Sequence, residues 1–239
     1  MLRPIRPGAL TLAAVLSTLN ATAQMAWGVK AGPNLTSLKV TYEAAGGTGL
    51  NNTAPPDLKA TGGGWHAGVY FNTTGGSNAG LLFELMYSRR LASSSYDYTV
   101  SGSGVDYHYV GEVEYRLEYI ELPLLLCVRP IERLSIHAGA AAALLRSATS
   151  KDRGQRSYPT GQGNIFTAGY SSNGTEKDLS KASVDLVVGG SVKVGTELLL
   201  SVRYLMDMND LDPTSGTTAK SSLWQFSLCY EVTGARKQP

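Results

Sequence analysis

The chain has 239 residues, of which 17% are charged, with 27 glycines and 13 tyrosines, a mixture that suits strands, tight turns and interface aromatics better than helices. Two of its 21 basic residues, Arg3 and Arg6, lie in the first 23 positions, which hold no acidic residue. The rest balances at 19 of each sign, so general attraction for nucleic acid is excluded.

The first element has the three parts of an export signal. Arg3 and Arg6 supply the positive start, and residues 8–19 form an apolar stretch too short to span a bilayer as a helix. Ala21-Thr22-Ala23 then gives a small-x-small cleavage pattern. The expected division is a signal peptide over residues 1–23 and one domain over 24–239. Beyond residue 24 no run reaches the ~18 apolar residues that a membrane helix needs.

Eight segments then alternate apolar and polar with period two, the mark of strands with unlike faces. In the first, Trp27, Val29 and Ala31 oppose Gly28, Lys30 and Gly32. In the second, Trp65, Ala67, Val69 and Phe71 oppose His66, Gly68, Tyr70 and Asn72. The third sets Leu81, Phe83, Leu85 and Tyr87 against Glu84, Ser88 and Arg90. The fourth sets Tyr115, Leu117 and Tyr119 against Arg116 and Glu118. Its phase then blurs at Ile120-Glu121-Leu122-Pro123, where a bulge or bend is expected because proline cannot donate to a ladder. In the fifth, Leu134, Ile136, Ala138, Ala140 and Leu144 oppose Ser135, His137 and Gly139. The sixth has Val184, Leu186, Val188, Val192 and Val194 against Asp185, Gly189, Ser191 and Lys193. Leu198, Leu200, Val202 and Tyr204 oppose Ser201 and Arg203 in the seventh. The eighth places Trp224, Phe226, Leu228, Tyr230 and Val232 against Gln225, Ser227, Cys229 and Glu231.

The connections alternate in length. Short ones fall at 73–78, 129–133 and 195–197, and long ones at 39–60, 92–113, 146–182 and 207–219. This predicts an all-β fold, an eight-stranded antiparallel up-and-down transmembrane β-barrel with short periplasmic turns and long extracellular loops, in a bacterial outer membrane. A soluble lipocalin-like ligand-binding barrel would show the same alternation turned inside out. Three features favour the membrane: aromatics at strand ends (Trp27, Trp65, Tyr87, Tyr115, Tyr204, Trp224, Tyr230), small residues on the apolar face of 134–144, and strands of roughly ten residues.

Eight strands enclose only enough room for side chains. Lys30, Glu84, Arg90, Arg116, Glu118, Asp185, Lys193, Arg203 and Glu231 are therefore expected to pair inside and plug the lumen, with His66 and His137 in the same network. Cys127 and Cys229 fall on opposite strands, beyond the ~7 Å reach of a disulfide, and should be free, buried thiols.

Two stretches invite a functional reading. His108 lies beside Asp106, Tyr107 and Tyr109 with Ser101 and Ser103 nearby, which would suit an outer-rim enzyme. A Ser/Gly-rich loop gives no sign of holding a base on its hydroxyl, so no catalysis is expected. Lys151, Asp152, Arg153 and Arg156 precede a polar run with Tyr158, Phe166 and Tyr170, which would serve as a partner surface or a solvated loop. Gly46-Gly47 and Pro55-Pro56 mark irregular backbone. No cofactor motif, phosphate loop or metal-ligand spacing is present in the sequence.

Trp27-Gly28-Val29-Lys30-Ala31-Gly32-Pro33-Asn34-Leu35-Thr36 resembles the opening strand of the outer-membrane β-barrel domain family that includes PorT-like proteins. Tyr119-Ile120-Glu121-Leu122-Pro123-Leu124-Leu125 resembles that family's mid-chain element. The resemblance spans the chain after residue 24 and implies an OmpA- or OmpX-like eight-stranded barrel. It also implies the bilayer and the barrel assembly machinery as partners. One departure is that residues 233–239 follow the last strand without a terminal aromatic, although Phe226 and Tyr230 lie close by. PorT belongs to a secretion system for surface proteins, a role not carried over here. The function expected is that of a non-enzymatic barrel acting through its extracellular loops or as an envelope or secretion accessory to a protein partner. The alternatives are a rim enzyme at His108 with Asp106, and the soluble ligand carrier.

Overall fold

In a computed structural model, residues 26–42, 57–74, 78–102, 105–160, 164–175, 181–209 and 217–233 are described. The expected signal over 1–23, both loop dipeptides and Ser103 lie outside them. The strands are β1 (Ala26–Tyr42), β2 (Leu58–Asn72), β3 (Ala79–Gly102), β4 (Val105–Ile131), β5 (Leu134–Pro159), β6 (Ile165–Thr175), β7 (Ala182–Lys193), β8 (Leu198–Asp207) and β9 (Thr217–Thr233).

All neighbouring strands are antiparallel, and β1 pairs with both β2 and β9 while β4 pairs with both β3 and β5. The lower half of β5 pairs with β7, which leads through β8 to β9. Eight strands therefore close a ring. β6 stands outside it, paired with the upper half of β5 only.

The ladders are staggered round the ring. From Ser37 one path runs through Thr61, Ser93 and Glu114 to Lys151, and the other through Ser222, Met206 and Leu186 to Ala140. That offset along β5 is the shear that tilts the strands of a closed barrel.

The apolar face of this ring points outward. Val29, Leu85, Leu124, Leu126, Val188, Leu200 and Leu228 are between 46% and 56% exposed, while Lys30, Glu84, Arg90, Glu121, Asp185 and Arg203 are 0–5% exposed. A soluble monomer does not present a continuous apolar belt of this extent. Hydrocarbon is the solvent that makes the pattern favourable, because the ring leaves no open edge within the belt. Aromatics mark the rims, with Trp65 and Tyr87 at 5.3 Å and Tyr204 and Trp224 at 5.0 Å on the outer side, and Trp27, Phe71 and Tyr230 on the periplasmic side.

Four expectations need correction. The segments 92–113 and 146–182 are largely strand, because β3, β4 and β5 run 24, 27 and 26 residues rather than about ten. The bulge lies at Glu118/Tyr119, opposite Leu145 and Ser147, so the extra residue is Arg146 on β5, and Pro123 sits in register with Ala141. The β4 side chains keep one phase from Leu117 to Cys127, all odd positions inward. Arg116 and Glu118 therefore face outward and are not lumen charges, and half-buried Tyr115 packs inward instead of joining a girdle. What changes at Ile120 is the medium. Glu114, Arg116 and Glu118 face water above the belt, and Ile120, Leu122, Leu124, Leu126 and Val128 face lipid within it.

Candidate functional site

The lumen is filled in layers. In the lower charged layer the Glu84 carboxylate receives both guanidinium Nη atoms of Arg203 and lies 3.3 Å from Lys30 Nζ, while Arg203 Nε donates to His137 Nε2 at 2.9 Å. In the upper layer Arg90 is surrounded by Glu121 at 2.8 Å, Asp185 at 3.2 Å and Asp207 at 3.9 Å, with Gln225 donating to Glu121 at 3.2 Å. The Arg90 guanidinium also stacks over the Tyr119 ring at 4.3 Å. His66 lies between the layers, one ring nitrogen 2.6 Å from Asn34 Oδ1 and the other 2.7 Å from Ser227 Oγ.

One carboxylate thus faces two cations below, and three carboxylates face one cation above. The two layers complement each other in charge, which offsets part of the cost of taking these seven charged groups out of water. An apolar layer of Leu38, Val40, Ala60, Ala92 and Ala219 closes the mouth above them. At the periplasmic end a cavity of about 30 Å³ remains among Tyr70, Leu82, Cys127, Cys229 and the lower charges, room for one or two waters. Both cysteines are free and buried, as expected.

Above the belt four strands continue outward as one sheet, ordered β3–β4–β5–β6. From Arg89 to Gly102 the strand climbs on the order of 40 Å at ~3.3 Å per residue. The inner face of this sheet continues the barrel's inner wall and is lined with tyrosine. Tyr98 stacks on Tyr109 at 5.3 Å, Tyr107 meets Tyr158 at 5.4 Å, and Tyr158 meets Phe166 at 5.2 Å. Each such pair contributes ~1 kcal/mol beyond burial, which steadies a sheet with water on both sides. Arg156 lies 5.8 Å from both the Tyr107 and Tyr158 rings.

At the centre, Gly111 and Gly154 are directly paired. A Cβ on Gly111 would stand 2.5 Å from the Tyr96 hydroxyl, and one on Gly154 2.8 Å from the Tyr170 hydroxyl. The glycine pair thus makes the trough in which tyrosines from two separate strands meet. Tyr96 donates to Asp152 and accepts from Tyr170. Burial, helped by the Asp152 carboxylate, pushes the Tyr96 phenol well above its ordinary value. Folding holds the neutral phenol, so the clasp's contribution is complete below about pH 10 and falls as pH rises above it. Limited proteolysis of the projecting sheet should therefore accelerate above about pH 10. A Tyr96→Phe protein should be cleaved faster at pH 7 already, by ~1–2 kcal/mol of local stability.

The residues singled out from the sequence separate into three places. His66 and His137 join the lumen network, as expected, together with Lys30, Glu84, Arg90, Asp185 and Arg203. Lys193 and Glu231 pair at 3.9 Å by the periplasmic rim. Glu121 and Asp207 belong to the network although the sequence reading left them out.

His108 does not engage Asp106. It lies on the outer face of the sheet with Nε2 2.7 Å from Asp97, the two side chains 46% and 70% exposed, while Asp106 accepts from Ser101. Lys151 and Arg153 face outward. Asp152, Arg156, Tyr158, Phe166 and Tyr170 share the inner face, which the period-two tyrosines at 96, 98, 107 and 109 could have signalled.

Among the described residues no group of three or more His, Cys, Asp or Glu is placed to hold a metal, and no helix is long and apolar enough to cross a membrane. Among curated proteins no match to the sequence was found. Similar solved structures include Neisserial surface protein A, 11% identical over 85% of this chain and 96% of that one, with a TM-score of 0.39. Ail of Yersinia pestis is 11% identical over 88% of this chain and 100% of its own, with a TM-score of 0.37. The outer membrane protease OmpT of Escherichia coli is 11% identical over 88% and 96%, with a TM-score of 0.34. Residues 19–212 match the outer membrane protein β-barrel domain. With that match over most of its length and an apolar belt around a closed ring, this chain belongs to the outer membrane β-barrel domain family and resides in the outer membrane.

Proposed function

We propose that this is a non-enzymatic outer-membrane protein with a plugged lumen, and that it acts at the cell surface through its projecting four-stranded sheet. The observation that carries the reading is the contrast between the two regions. The lumen is filled by mutually paired charges under an apolar lid, whereas the sheet holds an ordered, half-exposed aromatic face well beyond the belt. Irregular loops would suffice to join strands, so an organised sheet of this length is a surface for contact.

Planar-bilayer recording tests the first half: the purified protein should give no stable open-channel current, and steady conductance steps would refute a plugged lumen. Trimming tests the second half. Deleting 94–113 and 152–172 and rejoining the paired positions Ser93 with Glu114 and Lys151 with Asn173 should leave a barrel whose gel mobility still changes on boiling. Failure of the trimmed protein to assemble would make the sheet part of the fold rather than a functional attachment.

A further inference from the structure

The inner face of the projecting sheet has a composition that narrows what can sit on it. From Tyr96 to the tip it presents tyrosines, one phenylalanine, Val100 and Val105, and otherwise small or polar residues, with no leucine, isoleucine or methionine. Tyr98, Tyr107, Tyr109 and Tyr158 are half-buried, so each ring keeps part of its surface in water. Protein interfaces also use tyrosine and arginine as anchors, but in well-packed, fully desolvated pockets. Partly wet aromatic rings carrying hydroxyl groups match instead a ligand with apolar C–H faces and a hydroxyl-rich rim.

The electrostatics add a second constraint. The carboxylate on this stretch of the face, Asp152, is engaged by Tyr96. Arg156 lies beside two tyrosine rings, is exposed, and among the described residues has no carboxylate in salt-bridge range. Lys151, Arg153, Glu112 and Glu114 are on the opposite face, where charges of both signs alternate. The inner face therefore offers one uncompensated cation among stacking rings.

Resting on the proposed role of the sheet, we infer that this face binds an anionic oligosaccharide, with sugar rings stacked on Tyr107, Tyr109 and Tyr158 and a carboxylate held by Arg156. A guanidinium steadied by aromatic faces keeps its N–H edge for bidentate contact with such a group.

The test uses full-length protein in detergent micelles and two probes in titration calorimetry, a hyaluronan hexasaccharide carrying uronates and the neutral maltohexaose. The uronate hexamer should bind saturably. Arg156→Gln should weaken it about tenfold and leave any maltohexaose binding unchanged, whereas Tyr107→Ala should weaken both. Arg153→Gln, on the outer face, should change neither, and all three variants should retain heat-dependent gel mobility. Absence of binding by both hexamers would overturn the inference, as would equal weakening by Arg153→Gln and Arg156→Gln. A trimmed barrel that assembles, with no sugar bound by the intact protein, would leave the proposed function standing and this inference refuted.

Discussion

An Arg90→Met protein is expected to lose ~3–5 kcal/mol of stability, the largest effect of any single substitution in the lumen. Arg90 is 1% exposed and is the cation for Glu121, Asp185 and Asp207 together. Methionine fits the volume but leaves three buried carboxylates facing one another with no opposing charge in their layer. Urea titration of the refolded barrel, read as the fraction that keeps its folded gel mobility, would show the midpoint fall. Lys193→Met is the matched control. Its side chain is 36% exposed and its partner Glu231 stands at 3.9 Å, so a change of no more than ~0.5 kcal/mol is expected. Equal effects from the two substitutions would mean that the upper layer is hydrated rather than sealed.

The second large effect should come from the lipid-facing side. Leu124 is 49% exposed in the middle of the β4 belt, and Leu124→Arg should cost ~2–4 kcal/mol, as expected for a guanidinium near the bilayer midplane. Glu118→Arg lies on the same face of the same strand six residues higher, above the belt, and should cost little. The same urea titration measures both. A similar cost at the two positions would place the boundary elsewhere, and no cost at either would mean that this face meets water.

The lower half of the fold was legible in the sequence because one rule holds there: apolar positions meet lipid and polar positions meet the lumen. Lys30, Glu84, Arg90, Asp185 and Arg203 followed from that rule directly. It fails above the belt, where water replaces lipid on the outside and the inner face becomes the less polar one. Applied without that change of medium, it turned Arg116 and Glu118 into lumen charges and Tyr115 into a girdle residue. It also made an unbroken strand phase look blurred at Ile120, which hid Glu121.

Segments 92–113 and 146–182 read as loops for a related reason. Their less polar face carries tyrosine and valine interrupted by serine, alanine and glycine, and glycine and aspartate lower their strand propensity. Ladder bonds and cross-strand tyrosine pairs hold them instead, and those are visible only once Tyr98 is known to lie opposite Tyr109. The Gly111–Gly154 trough likewise depends on register, which no local pattern specifies. Asp207 was missed because it ends β8, where the following residues read as loop.

The most direct test is a label scan along β4 in a Cys127→Ala, Cys229→Ala background, with single cysteines carrying a fluorophore at positions 112, 114, 116, 118, 120, 122, 124, 126 and 128. In liposomes, labels at 120–128 should be quenched by lipid-borne quenchers, and those at 112–118 only by aqueous ones, with the step between Glu118 and Ile120. Uniform aqueous quenching from 112 to 128 would contradict an inside-out barrel in a membrane.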